Sequence, residues 1–171
     1  MHIRMARSED LPRLRKIEDD GDRQFDDVGI PLAAMAGSRP LSGYASYLPD
    51  RALVAVDADD RPLGFALLDL VDGCAHLEQL AVAPAFQRRG IGSALVAAAA
   101  AWGRERSLPG LTLCTYRDVP WNGPYYGRLG FRTLADATLT PGLRALRRYD
   151  TELGLDVAPR ICMRLELPAV Q

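Results

Sequence analysis

Residues whose types and spacing could do chemistry concentrate in one stretch, His76-Leu77-Glu78-Gln79-Leu80-Ala81-Val82-Ala83-Pro84-Ala85-Phe86-Gln87-Arg88-Arg89-Gly90-Ile91-Gly92-Ser93. An apolar run ending at Val82 leads into two arginines and Gly90-x-Gly92, and alanine-rich helical sequence follows. The first turn of a helix carries N–H groups with no partner in the helix and a partial positive charge. Glycine lets that backbone approach a phosphate closely, and Arg88 and Arg89 add charge. Gln87–Ser93 therefore reads as an anion cradle. On the preceding strand, alternation sets His76, Glu78 and Leu80 on one face, so two titratable groups point the same way. A dinucleotide fingerprint fits this stretch poorly. Leu95 stands where a third Gly or Ala is wanted, seven residues separate Val82 from Gly90, and the next strand ends in Thr115-Tyr116 rather than an acid. The plainer alternative is that Gly90 and Gly92 only shape a tight loop.

The elements that must position these residues follow from pattern. A strand is expected near Ile3–Ala6. Ser8 can cap a helix whose first turn holds Glu9 and Asp10 and whose apolar face holds Leu11, Leu14 and Ile17. Gly29-Ile30-Pro31 breaks the chain, and Leu32–Leu48 reads as helical with an interruption around Gly37–Gly43. Ala52–Asp57, Leu63–Val71 and Cys74–Val82 read as strands joined by the turns Asp59-Asp60-Arg61-Pro62 and Asp72-Gly73, which makes them an antiparallel meander. Gly90–Arg106 reads as a helix with Leu95, Ala98, Ala99 and Trp102 on one face. Leu111–Tyr116 must then be reached by a crossover and lie parallel to Cys74–Val82. A short helix at Tyr125–Leu129, strands at Phe131–Leu134 and Ile161–Leu167, and a helix opened by Thr140-Pro141 and closed by Gly154 complete the chain. The order predicts an α/β sandwich with a mixed sheet.

With those elements in place, Gln87-x-x-Gly90-x-Gly92 after Leu80-Ala81-Val82-x-Pro84 resembles the coenzyme A loop of the GNAT acetyltransferase superfamily. Asn122-x-x-Tyr125-Tyr126-x-x-Leu129-Gly130-Phe131 resembles that family's second signature, with Pro124 marking a shorter spacer than many members carry. The resemblance runs the length of the chain. It implies an α/β (α+β) fold, a mixed, mostly antiparallel sheet flanked by helices, with a central β-α-β coenzyme A-binding unit. It also implies that the backbone of Leu80, Ala81 and Val82 pairs with the pantetheine arm. The N–H groups of Arg88, Arg89, Gly90, Ile91, Gly92 and Ser93 would hold the pyrophosphate beside Gln87. Asn122 would touch the cofactor near the pantetheine, and Tyr126 would face its sulfur.

Acetylating an amine needs a base to free the nitrogen lone pair, and the departing thiolate leaves more easily if an acid protonates it. Tyr126, a neutral phenol with an ordinary pKa near ~10, can donate. Its alternative is an aromatic packed beside Phe131. His76 and Glu78 are both candidates for the base, directly or through a water. The strand is similar to that of aralkylamine N-acetyltransferases, which carry two histidines at these places; here the first is kept and the second is Glu78. Each could equally be an ordinary sheet residue. Cys114 lies on the strand beside these groups. The resemblance implies direct transfer, so Cys114 is expected to be structural rather than an acyl carrier.

Composition bounds the rest. The 171 residues, 48% hydrophobic and 25% charged, predict a single globular domain spanning 1–171. A net charge of -1 argues against a nucleic-acid partner. The three cysteines are scattered and there are two histidines, so neither a disulfide framework nor a metal site is expected. The start MHIRMARSED has no apolar core, and the most apolar run, Ala94–Trp102, is far shorter than the ~20 residues of a membrane span. A cytoplasmic protein with no membrane partner is therefore expected. The cofactor expected is acetyl-CoA without a metal, and the partner a small-molecule or peptide amine. The acidic run Glu18–Asp27 could attract a cationic amine or be a solvated helix end. Tyr44, Tyr47 and Trp121 could line an aromatic pocket, and the Pro141–Leu153 helix could cover the acceptor or form a homodimer contact. Three functions stay open: an acetyl-CoA:amine N-acetyltransferase, a transferase using another acyl group or an alcohol acceptor, and a non-catalytic acyl-CoA-binding module.

Overall fold

A computed structural model describes residues 1–168 of the chain. Seven strands follow the order β1-β2-β3-β4-β5-β7-β6, with β1 at His2–Met5, β2 at Ala52–Val56, β3 at Pro62–Val71, β4 at Cys74–Val82, β5 at Gly110–Tyr116, β6 at Arg132–Thr133 and β7 at Arg160–Glu166. The pairs β1–β2, β2–β3, β5–β7 and β6–β7 are antiparallel, whereas β4 and β5 run parallel through Ala75–Leu111 and His76–Thr112. Helices flank this sheet: α1 at Leu11–Asp22, α2 at Leu32–Ala36, α3 at Leu41–Ala45, α4 at Ile91–Glu105, α5 at Gly123–Arg128 and α6 at Pro141–Glu152. This is the mixed, mostly antiparallel α/β architecture expected from the order of apolar periods, with α4 as the crossover that lets β4 and β5 run parallel.

The chain packs as two compact units, Met1–Asp69 with Leu77–Ala99, and Leu70–His76 with the residues from Ala100 on. The first is built on apolar alternation. Val54 on β2 and Phe65 and Leu67 on β3 meet Leu14, Ile17 and Tyr44, all fully buried. Tyr44 and Phe65 pack edge to face with centroids 5.9 Å apart, an arrangement that adds about 0.5–1.5 kcal/mol to the burial itself. A Cβ on Gly64 would come 2.8 Å from the Ala81 carbonyl oxygen, so β3 needs a glycine beside the Leu80–Val82 segment. In the second unit Leu111, Leu113 and Met163 fill the core. A Cβ on Gly123 would stand 2.3 Å from the Arg117 carbonyl oxygen, so glycine is what allows α5 to start there.

One local expectation changes. The N-terminal helix begins as a 3-10 turn at Ser8–Asp10 with Arg7 at the cap, and the acceptor is the Asp10 carboxylate, 2.8 Å from the Arg7 N–H. Ser8 is already inside the turn. Asp10 wins because Arg4 also grips it, with guanidinium bonds of 2.8 and 3.1 Å, fixing β1 to the start of α1.

Candidate active site

The first unit carries the anion loop. After β4 the chain makes a short 3-10 turn, Pro84–Phe86, and the Gln87 side chain then folds back to donate to the Val82 carbonyl at 3.1 Å. Arg88 and Gly90 both have positive φ, 58° and 80°, which turns the backbone sharply into α4. Gly90 supplies the carbonyl that accepts both the Ala94 N–H at 3.0 Å and the Ser93 hydroxyl at 2.9 Å. The N–H groups of Ile91, Gly92 and Ser93 are thereby the donors at the positive end of a fifteen-residue helix. Arg88, Arg89 and Gly90 are exposed, Arg89 lies over the Phe86 ring at 5.4 Å, and Ile91 is buried as the anchor. A Cβ on Gly90 would meet nothing closer than 3.9 Å, so the space over its backbone is open. Gly90→Glu should abolish any thermal stabilisation by acetyl-CoA. The substitution strains a positive φ and sets a carboxylate against phosphate. A ligand-induced Tm shift equal to that of the wild type would show that the nucleotide sits elsewhere.

The same unit carries Glu78 in a charged network that local sequence patterns did not reveal. Arg39, between α2 and α3, donates to Glu78 at 3.0 Å and to Glu18 at 3.4 Å. The Tyr44 hydroxyl donates to the other Glu18 oxygen at 2.5 Å, and the Arg39 guanidinium lies 5.6 Å from the Tyr44 ring centre. Burial pushes the Glu78 carboxyl up from its ordinary value, and Arg39 pulls it back. Beside this network a cavity of about 160 Å³ is lined by Asp19, Asp22, Arg23, Ala33, Gly37 and Ser38. Burial, then the Glu18 and Asp19 charges, push Asp22 up to about 7 against the pull of Arg39. The acidic run is therefore only in part a solvated helix end. Asp20 pairs with Lys16 and Arg23 outside, while Glu18, Asp19 and Asp22 turn inward. Tyr44 and Tyr47 are core residues, 0% and 8% exposed, and Trp121 is exposed.

The second unit carries His76, Asn122 and Tyr126. His76 is buried, with Nδ1 2.8 Å from the Thr112 hydroxyl, which itself donates to the Ala75 carbonyl at 3.1 Å. A hydroxyl has one proton to give, so with that proton on the Ala75 carbonyl it is Nδ1 that donates to the Thr112 oxygen. Asn122 precedes α5 and accepts the Tyr126 N–H on its backbone carbonyl at 3.0 Å. Its side-chain Oδ1 is buried with no partner among the described residues. Such an orphan costs about 1–3 kcal/mol unless a ligand N–H satisfies it. Tyr126 is 8% exposed and packs edge to face against Tyr125 at 5.3 Å and Phe131 at 5.6 Å. Burial, then Tyr125, push its phenol up, so it stays protonated across the physiological range. Cys114 and Cys162 lie opposite each other on β5 and β7, a pairing their separation in sequence hid.

The sequence model of the acetyltransferase (GNAT) family matches residues 14–131, well over half of the chain. The chain belongs to that family. Solved structures with the same fold include N-acetylglutamate synthase from Neisseria gonorrhoeae complexed with coenzyme A and N-acetyl-glutamate, 21% identical with a TM-score of 0.72 over 98% of this chain and 35% of that one. The chain thus spans about a third of that relative's length. The ribosomal-protein-S18-alanine N-acetyltransferase from Escherichia coli is 20% identical with a TM-score of 0.69, covering 99% of this chain and 96% of that one. The PaiA N-acetyltransferase from Thermoplasma acidophilum, in complex with coenzyme A, is 16% identical with a TM-score of 0.69, covering 96% of this chain and 98% of that one.

As a GNAT acetyltransferase the chain is an acyl-transfer protein whose cofactor is acetyl-CoA. Its residues fit that group. In the first unit the open backbone at Gly90 and the helix N–H groups behind it are complementary to a pyrophosphate. Among the described residues no group of three His, Cys, Asp or Glu side chains could hold a metal ion, and no helix is long and apolar enough to cross a membrane.

Proposed function

We propose that the chain transfers the acetyl group of acetyl-CoA directly to a primary amine. The observation that carries this reading is Glu78, an ionisable carboxyl with a raised pKa two residues before the Leu80–Val82 segment, joined through Arg39 to Glu18 near the Asp19–Asp22 cavity. A base in negative surroundings suits an acceptor that arrives as an ammonium and must lose a proton. The GNAT structures named above belong to enzymes whose names place the acyl group on nitrogen, which supports the same acceptor atom here.

Acetyl-CoA, when bound, supplies the thioester acetyl group. The chain's own residues do the rest in this reading. Backbone groups of Leu80, Ala81 and Val82 bind the pantetheine arm, and the N–H groups from Arg88 to Ser93 hold the pyrophosphate, with Gln87 bracing the loop from inside. Asn122 Oδ1 accepts an N–H of the arm. Glu78 takes the ammonium proton at a carboxylate oxygen, with His76 Nε2 as the second candidate base. The Tyr126 hydroxyl gives a proton toward the departing sulfur. The test is a panel of amino acids, diamines, amino sugars and peptide N-termini incubated with acetyl-CoA, following free thiol release and product mass. Thiol release with acetylation on nitrogen is the expected result. Tight acetyl-CoA binding with no amine-dependent thiol release would favour the non-catalytic binding module, and acetyl found on oxygen would favour an alcohol acceptor.

A further inference from the structure

We propose that Cys114 and Cys162 form a reversible oxidation site, a dithiol that a hydroperoxide converts to an intramolecular disulfide. The argument starts from register. Cys114 on β5 and Cys162 on β7 are direct partners in an antiparallel ladder. Directly opposed residues point to the same face of the sheet, with Cα atoms about 4.5–5.5 Å apart. That spacing falls inside the ~4.4–6.8 Å window of a disulfide. The two sulfurs are 2.8 Å apart, so no backbone movement is needed to bring them together.

The surroundings split the pair: the hydrogen bond with Cys162, then burial, push the Cys114 thiol up, while Cys162 is drawn down. A thiol donating to the neighbouring sulfur, aided by the Arg147 and Arg160 guanidiniums, lowers Cys162 from its ordinary value against burial and Asp150. These charges are themselves fixed: Asp150 on α6 accepts from Arg147 at 2.8 Å and from Arg160 at 3.1 Å, and Arg147 also holds Asp156 at 2.7 Å. Cys162 is buried and Cys114 half-buried, so Cys114 is the more exposed sulfur of the two. Cys74, the third cysteine, pairs with neither; its sulfur lies 3.5 Å from Arg164 Nη1.

The chemistry balances with the hydroperoxide alone. One thiolate attacks a peroxide oxygen, the O–O bond breaks, and the alcohol or water leaves with a sulfenic acid behind. The second sulfur attacks the sulfenyl sulfur, an S–S bond forms and water departs. Two thiols lose two electrons and two protons, and the peroxide is reduced. A dithiol reductant reverses the step.

The test uses the whole chain, fully reduced and then exposed to hydrogen peroxide. Intact mass after alkylation should show the loss of about 2 Da and two fewer alkylated thiols, reversed by dithiothreitol. Digestion without reductant should yield a Cys114–Cys162 crosslinked peptide. Cys114→Ser and Cys162→Ser should each abolish the crosslink and leave the remaining thiol to accumulate as sulfenic acid. The wild-type peptide map stands on its own if a variant does not fold. A crosslink through Cys74, separate conversion of Cys114 and Cys162 to sulfinic acids, or unchanged free thiols would each overturn the proposal.

Discussion

Glu78→Gln should lower turnover by roughly 10²–10⁴-fold while leaving acetyl-CoA affinity in place. The amide keeps the size of the side chain and one bond to Arg39 but cannot take a proton. In the wild type the base form is the carboxylate, so activity should rise with pH through the Glu78 pKa, which burial has raised. In Glu78→Gln that limb disappears, and the residual rate should climb instead with the fraction of free amine. Arg39→Met gives the converse shift. Removing the cation that pulls Glu78 down should move the acid limb of kcat/KM to higher pH while the limb itself survives. His76→Gln is the matched control. Should His76→Gln lose the limb and Glu78→Gln keep it, the base is the imidazole; if neither variant slows, water deprotonates the amine.

Tyr126→Phe should lower kcat and kcat/KM together, on the order of 10–10³-fold, with KM nearly unchanged. The ring contacts with Tyr125 and Phe131 survive the change, so fold and thermal stability should too. An ordinary thiol has a pKa near ~8.5, and the Tyr126 phenol sits above its own usual value of ~10. The phenol is therefore the weaker acid. It donates a hydrogen bond to the sulfur as negative charge builds and gives up its proton late, which confines its effect to the transition state. A variant that acetylates the cognate amine at the wild-type rate, under conditions where chemistry limits, would remove Tyr126 from this role.

How much of this could be read from the sequence depended on whether the cause was local. β4 begins and ends at Cys74 and Val82 as read, because Asp72-Gly73 and Pro84 punctuate it, and α6 begins at Pro141 for the same reason. The parallel pairing of β4 and β5 followed from the length of the crossover alone. The sequence reads Ser8 as the cap because both Ser8 and Asp10 are capping types, and only Arg4, on β1, decides between them. The Glu18–Arg39–Glu78 network was not legible. Its members are 21 and 39 positions apart, and Arg39 lies in a stretch between Gly37 and Gly43 with no periodicity to aim it. The Cys114–Cys162 pair was hidden likewise, 48 positions apart on strands whose register no turn fixes.

The bond from Gln87 to Val82 has a consequence for how affinity is built. It couples the strand segment Leu80–Val82 to the loop that follows, and the Ser93 hydroxyl on Gly90 and the Arg89 stack on Phe86 stiffen the same turn. Ordering a free side chain at a binding surface costs about 0.5–1.5 kcal/mol, and ordering backbone costs more. Here that entropy is surrendered while the chain folds, before any ligand arrives. The encounter then resembles a key meeting a cut lock, and a loosened loop would be felt as a smaller competent fraction of molecules rather than as weaker individual contacts.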